Sequence, residues 1–424
     1  MKQTLNSFDT PTRREFVERF AAASFGLSLL PTTPLVAAQS GEQKSAAFGK
    51  AKNVIWLMLS GGLSHIDSLD PKLGKSKGPA AAMNTSADFQ VTEFFPKFAT
   101  IADRVCLIRS MEAKIGVHKP AQYYMRNAYE PRGTILHPNL GAWGSHYLGR
   151  SSKTLPSSVC VNRRSDQGNG FFPSSYAPLA IGDPSQGINN VKSIGGKSAA
   201  TKRLKLLNGI DADFRRKFND KGVNAYNGFY DDALALMKST ELQAFDLSAE
   251  SEEQRAAYGN NSFGQGCLLA RRLVDSGVRF VEVMHDGWDH HKALADEMGD
   301  VAPVFDQAFT TLINDLEQRG MLDSTLVVVA TEFGRKPNFD GDGRSHHPIC
   351  FSTVLAGGGV KAGFVYGKSD DVGYYVDENP VSIGAFHASI AFAAGMKLKE
   401  PAISPSGRPM TIGDGAEPVL EWFA

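Results

Sequence analysis

Three apolar runs constrain this chain more than anything else in it. Asn53–Leu59 (NVIWLML) and Thr325–Ala330 (TLVVVA) are apolar at nearly every position, the pattern of strands buried on both faces. Between them Val278–Val283 (VRFVEV) places Val278, Phe280, Val281 and Val283 in a short apolar run of alternating character, which also suits a strand. Each run stops abruptly in polar residues. Ser60-Gly61-Gly62 follows the first, with Ser64, His65, Asp67 and Asp70 behind it. His285-Asp286-Gly287-Trp288-Asp289-His290-His291 ends the second, and Thr331-Glu332-Phe333-Gly334-Arg335 the third. Open α/β sheets build their sites at the carboxyl ends of strands. Asp and His together suit a metal ion. The plain alternative for the second cluster is a strand-to-helix turn with Asp289 as N-cap. Repetition over three strands favours a site.

The remaining pattern alternates strand and helix. Val91–Asp103 reads as a helix, with Phe94, Phe95, Phe98 and Ile101 at helical spacing, and Val105–Ile108 as the next strand. Arg109 and Ser110 follow. Lys119–Asn127 reads as a helix opened by Pro120, so His118 stands near a helix N-terminus, where an anion is welcome. On its own His118 reads equally well as a surface-loop histidine. A helix over 138–150 and a strand over 158–162 come next. Residues 163–208, rich in Gly, Ser, Asn and Pro, read as long loops over the sheet. Residues 210–257 are mostly helical in pattern, and Ser262–Ser276 is amphipathic. A helix over Val301–Gln318, a strand over Ser352–Ala356 and a helix over Ile383–Ala394 carrying His387 complete the order. Such alternation predicts a mostly parallel sheet with helices on both faces.

Lys plus Arg number 45 and Asp plus Glu 45, and this balance argues against a nucleic-acid partner. Before the first strand, Arg13-Arg14 leads into the apolar run Phe20–Leu30 and then small residues ending at Ala38. These are the three regions of an export signal, and the paired arginines resemble a twin-arginine signal. The expectation is a signal peptide over 1–38, one domain over 39–424, and a periplasmic product without a membrane span after cleavage, since the run is too short to cross a bilayer. A retained N-terminal anchor is the alternative. Cys106, Cys160, Cys267 and Cys350 match no zinc spacing, and three of them lie in apolar strand-like runs.

The leader, SGGLSHIDSLDPK, LARRLVDSGVRFVEV, GWDHH, TEFGR and GRSHHP occur in that order over nearly the whole chain. Together they resemble the family numbered 1501 among domains of unknown function, which is similar to the alkaline phosphatase superfamily with its sulfatases. The resemblance implies a three-layer α/β/α sandwich. It implies an exported hydrolase of phosphate or sulfate esters, acting on a small-molecule or glycan ester. One or two divalent ions (zinc, manganese or calcium) would polarise the ester oxygen and activate a nucleophile. Carried over by motif, Asp289, His291 and His346 or His347 hold one ion, and the spacing in GWDHH does not rank His291 above His290. Asp67 and Glu332 are candidate ligands of a second, degraded site, in which Ser60 and Phe333 stand where the pattern has ligands. His118 lies nearest the nucleophile position, with Ser110 and Ser60 as alternatives. Arg335 and Arg344 are expected either to bind the anionic group or to serve as structural salt-bridge partners. The rival function is a binding or structural protein that keeps the fold without the chemistry.

Overall fold

Adjacent residues of one strand feed two separate cores. Ile55, Leu57 and Leu59 point into one apolar cluster, and Val54, Trp56 and Met58 into another on the opposite face. That is the two-residue period of a pleated strand buried on both sides, and it explains why Val54–Leu59 has no polar position. The computed structural model describes residues 46–163, 168–188, 196–217 and 231–424. The expected signal peptide over 1–38 lies outside the described residues.

Nine strands form the main sheet among the described residues. In chain order they are Asn53–Leu59 (β1), Val105–Glu112 (β2), Ser158–Val161 (β3), Leu179–Ile181 (β4), Phe280–His285 (β5), Thr325–Ala330 (β6), Phe351–Ala356 (β7), Phe364–Tyr366 (β8) and Val381–Ser382 (β9). The spatial order is β8-β2-β7-β6-β1-β5-β3-β4, with β9 also on β2. Only β7 runs antiparallel, against β2 and β6. The three runs that organise the sequence are therefore central neighbours, β6-β1-β5, and their carboxyl ends emerge side by side.

Helices cover both faces. Ser262–Asp275 and Leu294–Gln318 lie on the Ile55 side and contribute Leu269, Leu273, Phe305 and Phe309 to that core. His118–Asn127 (α1), Leu140–Leu148 and Ile383–Ala393 lie on the Trp56 side, with Met125, Trp143, Phe386 and Ile390 packed there. Fully burying each such side chain contributes about 1.5–3 kcal/mol. The architecture is the expected three-layer α/β/α sandwich. Among the described residues no helix is long and apolar enough to cross a membrane.

Several local expectations change. In place of one helix over Val91–Asp103 there is a strand at Gln90–Thr92, a single turn at Pro96–Ala99 and a 3-10 turn at Ala102–Arg104. Pro96 disfavours helical backbone at Phe95, so no helix crosses that point; Phe95 and Phe98 are buried all the same. The strand expected to end at Ile108 continues to Glu112, which puts Ser110 inside the sheet. The helix expected from Val301 begins at Leu294 and runs through Pro303. Burial of Leu294, Met298 and Ala302 offsets the one hydrogen bond the proline forfeits. Within the span read as loops stand β4 and a helix over Gly196–Lys217, whose Ala, Lys and Leu residues favour helix despite the flanking Gly and Ser.

Candidate metal centre at the carboxyl ends of the central strands

Beyond Leu59 the backbone of the first turn stays tied to the neighbouring strand. Ser60 N donates to His285 O at 2.8 Å, and Trp288 N returns to Ser60 O at 3.2 Å. The two glycines that follow are required by close approach. A Cβ on Gly61 (φ +127°) would lie 2.5 Å from Asp289 N, and one on Gly62 (φ +84°) 2.5 Å from the Phe333 ring. Both conformations disfavour other residues. The turn is thus pressed onto the strand that delivers Asp289. Trp288, fully buried against Phe305 and His285, anchors that strand's end, and Asp289 emerges beside it. Asp289 is no N-cap: the next helix starts at Leu294, preceded by Ala293.

Four side chains converge here. His118, Asp289, His291 and His346 offer ligand atoms that all lie within 4.8 Å of one another. His118 Nε2 is 3.1 Å from Asp289 Oδ2. His291 Nε2 and His346 Nε2 are 3.1 and 3.3 Å from Oδ1, and 2.9 Å from each other. His118 is the first residue of α1, and its ring stacks obliquely on the buried Phe333, as does that of His346. His346 comes from a two-residue hairpin in which His346 pairs with Arg335 and His347 with Gly334. Successive strand residues face opposite ways, so only one histidine of the pair can reach the cluster. His347 turns away to Tyr374 O at 2.6 Å. The same choice is made in the earlier pair, where His290 is buried and bound to Gly287 O at 2.8 Å, leaving His291 to the cluster.

The donor set fits a cation. His346 Nδ1 lies 2.8 Å from Gly116 O, which fixes that nitrogen as the N–H and leaves a lone pair on Nε2. His118 Nδ1 lies 2.8 Å from Glu332 Oε1, and its Nε2 is buried without a hydrogen-bond partner. Two imidazole lone pairs and a carboxylate facing one another form an arrangement that a positive ion relieves. The protein supplies part of that charge already, because the Arg335 guanidinium donates to Asp289. Burial pushes the Asp289 carboxyl up, but the hydrogen bond and charge of Arg335, with His118 and His346, overcome it and hold the group down at about 2. The hydrogen bond to Glu332 raises the His118 imidazole, helped by the Asp289 and Glu332 charges and opposed by burial and Arg335. Burial lowers His346, with a further push from Arg335, against the Gly116 carbonyl.

The other expected site residues take different places. Glu332 does not join the four; its Oε1 accepts from Gly61 N, His118 Nδ1 and Gln122 Nε2. Ser60 Oγ accepts at 2.9 Å from Gln122 Nε2, the amide that also donates to Glu332. Ser110 is sealed in β2 and packs on Gly367. Asp67 is fully buried and paired with Arg344, Nε to Oδ2, at 2.7 Å. Arg344 spends its other donors on the carbonyls of Ser76, Lys336 and Pro337. Arg335, 1% exposed, holds Gly61 O, Gly62 O and Arg344 O as well as Asp289. Both guanidiniums face inward, onto backbone carbonyls and a carboxylate each. Gln122 was not anticipated. Its signal was the four-residue spacing from His118, which places both on one face of α1.

The model of the family described as "Protein of unknown function (DUF1501)" matches residues 51–423. No curated protein matches the chain in sequence. Among solved structures, the PsFucS1 sulfatase from Pseudoalteromonas sp. aligns at 12% identity over 88% of this chain and 75% of its own, with a TM-score of 0.39. The lipoteichoic acid synthase LtaP from Listeria monocytogenes aligns at 8% identity over 84% and 76%, at 0.38. The alkaline phosphatase from the Antarctic bacterium TAB5 aligns at 11% identity over 73% and 92%, at 0.33.

Proposed function

The chain belongs to the DUF1501 family of proteins of unknown function, and from that premise we propose that it is an exported, metal-dependent hydrolase of phosphate or sulfate esters. The observation that carries this reading is the convergence of His118, Asp289, His291 and His346 at the carboxyl ends of the central strands. Three imidazoles and one carboxylate suit zinc, or manganese, better than calcium, which takes six to eight oxygens. When bound, such an ion supplies Lewis-acid polarisation of an ester oxygen. The protein's own residues do the rest. Phe333 closes the inner side of the His118 and His346 rings. Arg335 keeps Asp289 ionised, and Gln122 holds the Ser60 hydroxyl as an acceptor beside the cluster. Of the three nucleophile candidates, Ser60 is the hydroxyl that this arrangement leaves available, and a small-molecule or glycan ester is the substrate class.

The rival reading, a binding protein that keeps the fold, draws on one observation. His118 has Nδ1 committed to Glu332 and Nε2 turned to Asp289, and Ser110 is enclosed, so neither stands ready to attack. A panel of aryl phosphates, phosphodiesters and aryl sulfates, assayed with zinc and manganese, separates the two. Turnover lost in Ser60→Ala and in Asp289→Ala supports the hydrolase. A fully metal-loaded protein that turns over none of these esters supports the binding protein. The export component is tested by Arg13→Lys with Arg14→Lys, which should keep the chain out of the periplasm; normal periplasmic accumulation would remove the twin-arginine route.

A further inference from the structure

Glu332 is the most deeply buried ionisable group beside the cluster and is not one of its four donors. Its side chain has no solvent exposure. Three N–H groups converge on one of its oxygens, from Gly61 N at 2.9 Å, His118 Nδ1 at 2.8 Å and Gln122 Nε2 at 3.1 Å. The Thr331 hydroxyl stands 3.4 Å from the other oxygen. Such a carboxylate is costly to bury and is tolerated because donors surround it. Its direction is set by the strand. Glu332 is the second residue beyond β6, and the Gly61 N–H comes from the turn after the neighbouring β1, so two adjacent strand ends fix the oxygen in place.

His118 needs such a fixture. It opens α1, and no side-chain cap holds that end of the helix. Phe333 bounds the ring on one side. The hydrogen bond at Nδ1 opposes rotation about the remaining torsions, beside the edge-on contact with His346 and the approach of Nε2 to Asp289. We propose that Glu332 is a positioning residue rather than a ligand: it takes the Nδ1 proton of His118, fixes the tautomer, and turns the unpartnered Nε2 toward Asp289, His291 and His346. Gln122 extends the fixture to the cluster's border, because its amide donates to Glu332 and to Ser60 Oγ together. The inference rests on the reading that the four donors hold a metal ion, and it adds a residue that acts on the ion only through His118. Carboxylate–histidine–metal arrangements lose about 10- to 100-fold in metal affinity when the outer carboxylate is replaced.

The test uses the full mature chain, stripped of metal, titrated calorimetrically with zinc chloride. Glu332→Gln keeps the side chain's size and an acceptor oxygen for Gly61, so the fold should hold, but it removes the charge. The expected result is one zinc per chain in both proteins, with affinity about 10- to 100-fold weaker in the variant and the melting temperature of the metal-free proteins nearly equal. Equal affinities would overturn the positioning role and leave the metal site standing. A wild type that binds no zinc would overturn both, and so is distinguishable. Should the variant not fold, nitrogen NMR of histidine-labelled wild type, with the His118 resonances assigned by their loss in His118→Gln, reads the same claim. In the zinc-loaded protein Nδ1 should carry the proton; a proton on Nε2 would overturn the inference.

Discussion

Replacing Arg344 with Met should cost about 3–5 kcal/mol of folding stability and leave zinc affinity essentially unchanged. Arg344 and Asp67 each have 0% side-chain exposure, and two guanidinium nitrogens reach the carboxylate at 2.7 and 3.1 Å. The same guanidinium donates to Ser76 O at 2.9 Å, Lys336 O at 3.3 Å and Pro337 O, and Phe339 covers it at 4.2 Å. Removing it strands a buried carboxylate that keeps the Ser64 hydroxyl as a donor. Each abandoned carbonyl adds up to about 1 kcal/mol where water does not replace the donor. A charge left alone costs more than the pair contributes, so Asp67→Leu with Arg344→Met should recover much of the loss. Urea unfolding reads this as a lower midpoint at unchanged slope. A loss under about 1 kcal/mol, or a double variant no better than the single, would refute the reasoning. Weaker anion binding at full stability would instead return Arg344 to the substrate.

Burial and close packing set two further outcomes. Burial pushes His65, His285 and His387 down to about 4, in His65 against the attraction of Asp70 and in His387 against the Met125 carbonyl. The unfolded chain, at about 6.5, therefore binds more protons in that window; stability should be full above about pH 6.5 and fall toward pH 4, at up to about 1.4 kcal/mol per pH unit for each group. Melting curves should show it, with a shallower slope in His387→Gln, and a flat profile over that range would contradict it. Gly62→Ala should destabilise the fold by about 1–3 kcal/mol and weaken zinc binding together, because its Cβ meets the Phe333 ring that backs His118 and His346; a variant melting like wild type would contradict the packing.

How much of this was legible in the sequence depends on distance along the chain. The sheet was legible because burial on both faces leaves continuous apolar runs such as TLVVVA, and Asp289 with the His290-His291 pair could be named because they sit at a strand's end, the choice of His291 coming from the structure. The choice of His346 over His347 was not legible, since it depends on the pairing of a two-residue hairpin with Gly334-Arg335. The resemblance puts His118 nearest the nucleophile position by motif order; that it meets Asp289 comes from β2 and β5 lying on one sheet with their ends at the same edge. Asp67 is a candidate ligand because it stands in the turn after the first strand, and Arg344 a candidate anion binder because a guanidinium can hold an anion bidentately. Their pairing spans 277 positions, which no local pattern reports. Glu332 was singled out, but its role as a support for His118 needed the Gly61 N–H and Gln122 beside it.

The central claim is that the four donors bind a single divalent ion. Metal content by mass spectrometry, on protein purified without chelator, tests it in wild type and Asp289→Ala. The Asp289 side chain is 45% exposed, so its loss should leave the circular dichroism of the fold intact. One zinc or manganese ion per chain in wild type, and none in the folded variant, is the result the geometry predicts. A wild type free of metal that also takes up none on titration, or a variant that keeps its full complement, would contradict it.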